Sequence, residues 1–237
     1  MKTKFNYMLI GALILVNVVS CKKDNFDAPN STLSGRLIYE GQEIHIEHDQ
    51  VTFELWQSGF GKNAPIKSSF SQEGIYSTTL FDGTYKFVIP TGQGPFKWKT
   101  DINGKADSLE INLKGNQTID IEVIPYYLIK NAELSSNNSA ILANFQIEKI
   151  ISGAESKDIE HVSLYINKTQ FVSGNSNSNV GKGTLNGNDI ADLSNIQLSV
   201  DIPTMIPKQN YIFARIGIKI QGVEDLIYSP LKKLDLN

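Results

Sequence analysis

The 237-residue chain has one cysteine, Cys21, so no internal disulfide can staple it and burial of apolar surface must hold the fold together. Basic charge is also scarce. Lys and Arg number 22 against 25 Asp and Glu, and the longest basic runs are the pairs Lys22-Lys23 and Lys232-Lys233. That balance disfavours a nucleic-acid partner and excludes a polybasic membrane patch. The longest apolar stretch, Tyr7 to Val19, is interrupted by Asn17 and falls short of the roughly 20 residues a bilayer-spanning helix needs. No amphipathic helical stripe runs through the remainder. The composition is nevertheless that of a folding chain, 41% hydrophobic and 20% charged, with room for one large or two small domains.

Lys2 and Lys4, the apolar stretch, then Ser20 and Cys21 have the layout of an export signal. Cys21 stands where a bacterial lipoprotein signal places the residue to be acylated, with Ser20 before it and Val18 two residues earlier; Val19 departs from the small residue usual there. The expectation is a cleaved leader over residues 1–20, a lipidated Cys21 and attachment to the outer membrane through that lipid. Several acyl chains on one cysteine would give stable anchoring where a single chain is marginal. Residues 21–32, rich in Asp, Asn, Ser and Pro after the cysteine, read as a tether.

From Leu33 onward, short alternating apolar runs are bounded by turn residues, which is the pattern of strands. The clearest lie at 33–39, 51–56, 75–80, 85–89, 109–113 and 119–123, then at 127–134, 141–148, 162–166, 196–200 and 211–220. In the last, Ile212, Ala214, Ile216, Ile218 and Ile220 share a face opposite Arg215 and Lys219. The fold class expected is all-β, two β-sandwich domains over 33–125 and 126–237 with the break near Pro125. Asp82-Gly83 reads as the tight turn of a hairpin. The Gly, Ser and Asn-rich segment 173–188 reads as a mobile solvated loop.

Several segments in fixed order carry a resemblance: Leu33-Ser34-Gly35-Arg36, Leu55-Trp56-Gln57, Leu80 to Tyr85, Gly94-Pro95-Phe96, Pro125-Tyr126-Tyr127 and Lys168 to Val172. Together they resemble the Bacteroidota lipoproteins of domain of unknown function 3823, over essentially the whole mature chain. The resemblance implies a transthyretin-like, carboxypeptidase regulatory-like first domain and an immunoglobulin-like second one. It also implies a setting beside SusC/SusD-type glycan importers, with polysaccharide or the importer proteins as partners. The family offers no catalytic residues to carry over. Cys21-Lys22-Lys23-Asp24 loosely resembles the charged signal that sends lipoproteins of that phylum to the cell exterior.

The chemistry of catalysis is not visible in the residues. There is no G-x-S-x-G elbow, and the lone thiol is assigned to lipid. Gly181-Lys182-Gly183-Thr184 lacks the preceding glycine of a phosphate loop. His45, Glu47, His48 and Asp49 contain metal-ligating types, but an exposed hairpin accounts for them and no metal or other cofactor is expected. His161 reads as a surface histidine, and Glu224-Asp225 as a solvated acidic pair that leaves calcium open. Asp107-Ser108-Leu109 resembles an O-glycosylation acceptor, although a strand-leading serine explains it equally.

Aromatics remain, because sugar rings present apolar C–H faces that stack on indole and phenol rings. Trp98, after the loop Gly92-Gln93-Gly94-Pro95 and close to Phe96, is the more exposed candidate. Trp56, in mid-strand, fits a core or domain contact as well as a ligand. Tyr126 and Tyr127 are expected to pack the two domains together. The functional expectation is a non-enzymatic surface lipoprotein binding polysaccharide or importer components, with a structural or adhesive role in protein contacts as the rival.

Overall fold

The structure, a computed structural model, describes residues 27–59, 64–137 and 139–236. Cys21 and the leader lie outside the described residues. Strands dominate, and no α-helix occurs among the described residues.

The opening strand, Ser31–Tyr39, organises the first domain. Its inward positions Leu33, Gly35 and Leu37 alternate with half-buried ones. It pairs antiparallel with Ile75–Leu80 on one side and parallel with Gln117–Thr118 and Ile121–Glu122 on the other. A second sheet runs Ile66–Ser69, Thr52–Trp56, Gly83–Val88, Leu109–Leu113, antiparallel throughout. Between the sheets the rings of Phe53, Phe70, Tyr76 and Phe87 interlock, Phe53 and Phe87 stacked at 4.7 Å between centroids. Each such pair adds about 0.5–1.5 kcal/mol beyond area burial.

The structure corrects the reading of Asp82-Gly83 as a hairpin turn. Ile75–Leu80 and Gly83–Val88 belong to different sheets, so the segment is a corner that carries the chain across the sandwich. The Asp82 carboxylate fastens the corner by accepting from the Ser31 hydroxyl and from the Gly115 N–H at 2.9 Å, and Tyr85 donates its hydroxyl to the Phe81 carbonyl. Local turn chemistry was visible in the sequence, but these partners far along the chain were not. The Ser31 hydrogen bond, followed by that of Gly115, holds the Asp82 carboxyl below its ordinary 3.8. A depressed acid stabilises the fold above its unfolded-state value and loses that contribution as pH falls through the folded one. Asp82→Asn should therefore flatten the acid limb of the urea midpoint below about pH 4; an unchanged limb would remove Asp82 from the explanation.

The second domain packs the sheet Tyr127–Ser136, Ala140–Lys149, Ile196–Asp201 against a sheet ordered Gly181–Asn186, Ile159–Asn167, Tyr211–Ile220, with Ile227–Tyr228 and Lys232–Asp235 sharing the far edge. Ile212, Ala214, Ile216, Ile218 and Ile220 are all fully buried, as their alternation requires. The mobile-loop reading of 173–188 is corrected in part, since Gly181–Asn186 is a strand paired with Ile159–Asn167. Its glycines serve close approach: a Cβ on Gly183 would stand 2.0 Å from the Ser199 carbonyl oxygen. A polar, Gly-rich strand shows no hydrophobic alternation, which is why it reads as loop.

Candidate functional site

The two domains meet along a polar seam centred on Arg215. Only 1% exposed, it donates Nη1 to the Ile46 carbonyl of the first domain at 3.0 Å and Nε to the Val172 carbonyl of the second. Its guanidinium stacks on Tyr228 at 3.7 Å from the ring centroid, and burial pulls its pKa down to about 10. Glu47 accepts from the Ser173 hydroxyl at 2.8 Å and the Tyr228 hydroxyl at 3.3 Å, and Gln72 donates to the Gln170 carbonyl. His45 is half-buried there, its carbonyl accepting from the Tyr228 N–H at 2.9 Å, and burial lowers its pKa.

The exposed-hairpin reading of His45 and Glu47 is thus corrected, while His48 and Asp49 do stay exposed. Among the described residues no group of three or more His, Cys, Asp or Glu could hold a metal. The solvated-pair reading of Glu224-Asp225 needs correction as well. Asp225 accepts the Gly94 N–H at 2.7 Å across the domains, and burial raises its carboxyl pKa.

At this end of the seam lies a cleft of about 390 Å³. Residues 89–94 form one wall, Phe96, Trp98 and Tyr126 supply its aromatic surface, and Lys157 with Gly222–Glu224 closes the far side from the second domain. Phe96–Lys97 pairs with Ile124–Pro125, which seats the Trp98 segment beside the domain junction. The Gly/Pro loop is shaped for Phe96: Gly94 has φ +80, and a Cβ there would stand 2.3 Å from the Phe96 ring. Trp98 is half-buried, its indole N–H donating to the Asp107 carbonyl at 3.2 Å and its ring meeting Phe87 edge-on at 6.3 Å. With its N–H and one edge already engaged, the indole is held in place as an apolar surface. Lys99 lies 6.0 Å from the Trp98 centroid and Lys157 lies 5.7 Å from that of Tyr126.

Of the aromatic residues singled out in the sequence, the fold brings Trp98 and Phe96 into one cleft, Phe96 as its buried floor. Trp56 does not line it. That side chain is on the outer face of its strand, half-buried, with its indole N–H donating to Glu54 at 3.0 Å. Tyr127 is buried in the second domain, its hydroxyl donating to the Lys157 carbonyl at 2.6 Å. Tyr126 lines the cleft and also ties the seam as expected, its N–H donating to the Pro95 carbonyl of the first domain at 3.3 Å and its carbonyl accepting from the Ile150 N–H of the second at 3.0 Å. Lys157, Gly222 and Val223 gave no local signal, and Glu224 only that of an acidic pair, because only the docking of the domains brings them to Trp98.

The molecule is therefore an all-β protein of two domains with an aromatic cleft at their junction. Its chain belongs to the DUF3823 family: residues 31–124 match the "Protein of unknown function (DUF3823) N-terminal domain" and residues 127–233 match the "Domain of unknown function (DUF3823_C)". A DUF3823 family protein from Parabacteroides merdae ATCC 43184 is 34% identical, with 88% of this chain and 100% of that one covered and a TM-score of 0.75. Another, from Bacteroides ovatus ATCC 8483, is 27% identical over the same shares, with a TM-score of 0.74. A proposed carbohydrate binding protein from Bacteroides uniformis ATCC 8492 shares the fold at 18% identity and a TM-score of 0.66, again over 88% and 100% of the two chains. No match emerges among curated proteins.

Proposed function

We propose that this chain is a non-enzymatic carbohydrate-binding protein, anchored by lipid on Cys21 to the outer membrane and displayed to the exterior as an accessory to SusC/SusD-type glycan uptake. The observation that carries the binding role is the cleft itself, about 390 Å³, lined by Trp98 and Tyr126 together with Phe96. The fold shared with a proposed carbohydrate binding protein supports the same reading. The importer setting and the lipid anchor rest on the family resemblance and on the leader, and they fit a protein that holds glycan and passes it on without cleaving it.

Affinity electrophoresis of the mature protein through gels containing single polysaccharides tests the binding role. At least one glycan should retard the band. Stacking and burial on one indole are worth about 1.5–3 kcal/mol, so Trp98→Ala should weaken that interaction about ten- to a hundredfold. Trp56→Ala should leave it unchanged, because Trp56 lies outside the cleft. Equal loss in both variants would move the site elsewhere. A role in protein contact is the second reading, and it draws on Ile102, 98% exposed at the tip of the turn that follows Trp98, and Ile206, 82% exposed.

A further inference from the structure

The charge lining the cleft runs against the charge of the molecule. The chain carries a net −3, yet the charged residues around the groove are Lys97, Lys99 and Lys157 against Glu224 alone. Asp225 is turned to the Gly94 N–H and does not line the groove, and neither do Asp107 and Glu155 beside it. Lys97 pairs with Glu155, leaving Lys99 beside Trp98 and Lys157 beside Tyr126 as the two cations next to the aromatic surface. Lys157 is held in place by donating to the Gly222 carbonyl at 3.0 Å, which satisfies one of its three N–H groups and leaves the others for a ligand.

Resting on the carbohydrate reading above, we infer that the glycan is acidic, its carboxylate or sulfate groups meeting Lys99 and Lys157 while its rings stack on Trp98 and Tyr126. Apart from Tyr126 and the lysines, side-chain hydroxyl partners for a neutral glycan are confined to Thr91, Gln93, Thr100 and Glu224, and the Gln93 side-chain carbonyl oxygen is already engaged by Thr52. Two ammonium groups bracketing the aromatics suit anions spaced along a chain of sugar rings. Two lysines beside the aromatic surface also discriminate, since a neutral chain of the same shape gains nothing from them.

The test uses the mature protein, with retention measured on polygalacturonate, on its carboxyl-reduced neutral counterpart, on chondroitin sulfate and on its desulfated form. The expected result is retention on one or both acidic glycans, weakened by raising salt from 50 to 500 mM, and little on the carboxyl-reduced neutral polymer; desulfated chondroitin, which keeps its uronate carboxylates, is retained if carboxylate suffices and released if sulfate is required. The carboxylate and sulfate arms separate the two anion sources. Lys99→Gln and Lys157→Gln should each weaken binding about two- to fivefold and the pair more, the size expected of exposed ion pairs. Lys67→Gln, at an exposed lysine outside the groove, should change nothing. Salt-insensitive binding of a neutral glycan, lost in Trp98→Ala but kept in both lysine variants, would overturn the acidic assignment and leave the carbohydrate reading standing. Retention on no glycan would sink both, and acidic retention indifferent to Trp98→Ala would reduce the effect to surface charge and overturn the assignment.

Discussion

Replacing Arg215 with alanine should cost about 3–5 kcal/mol of stability and uncouple the domains, splitting a single urea transition into two. The side chain bridges carbonyls of Ile46 and Val172, one on each side of the seam, and fills the space over Tyr228. Alanine would leave both buried acceptors without their donor and open a cavity beside the ring. Lysine should not rescue it, because one ammonium on a flexible stem cannot reach two divergent carbonyls and stack flat on a phenol at once. Equilibrium urea unfolding followed by far-UV and near-UV circular dichroism checks the prediction; a loss under 1 kcal/mol with a single transition would mean that the seam is held elsewhere. Because the cleft is built from both domains, the variant should also lose whatever ligand the wild type holds.

The second large effect is expected at Gly35, in the middle of the opening strand. A Cβ at this position would stand 1.9 Å from the Ile119 carbonyl oxygen and 2.9 Å from the Tyr76 ring, and the Tyr76 hydroxyl donates to that same carbonyl at 2.7 Å. Alanine must therefore push the neighbouring strand outward and break the tyrosine hydrogen bond together. Overpacking of about 1–3 kcal/mol plus an unsatisfied buried hydroxyl of about 1–3 kcal/mol gives an expected loss of roughly 2–6 kcal/mol. Gly41→Ala has nothing within 4 Å of the added methyl group and isolates the strain of φ +78 as a control. Gly35 itself has no left-handed φ, so a loss at Gly35 no larger than that at Gly41 would contradict contact with Ile119 as the reason for glycine there.

How much of this was legible follows from the range of each signal. The inward alternation of Ile212 to Ile220 and of Phe53 and Leu55 is written within single strands, and those strands exist, whereas the strand read over 119–123 is broken into the short pieces Gln117–Thr118, Ile121–Glu122 and Ile124–Pro125 even though Ile121 and Val123 are buried as expected. Gly181–Asn186 escaped because its glycines are chosen for approach to Ser199 and carry no hydrophobic period. Asp82 showed its turn chemistry but not Ser31 or Gly115, which complete it from far along the chain. Arg215 was placed correctly on the strand face opposite the isoleucines. Its burial was hidden because that face is covered by another domain, and strand periodicity says nothing of what docks on a polar face. Trp98 and Phe96 were visible as aromatics around a Gly/Pro loop, but the half of the cleft that comes from Lys157 and residues 222–224 exists only once the domains are docked.

The central claim is that Trp98 forms the surface on which a sugar chain lies. The chain's two tryptophans allow this to be read directly by fluorescence. In a Trp56→Phe protein, where Trp98 is the sole indole, titration with a retained acidic glycan should shift and saturably change the emission, whereas a Trp98→Phe protein emitting from Trp56 should stay constant. A saturable change from Trp56 together with silence from Trp98 would contradict the account and place the ligand on another face of the molecule.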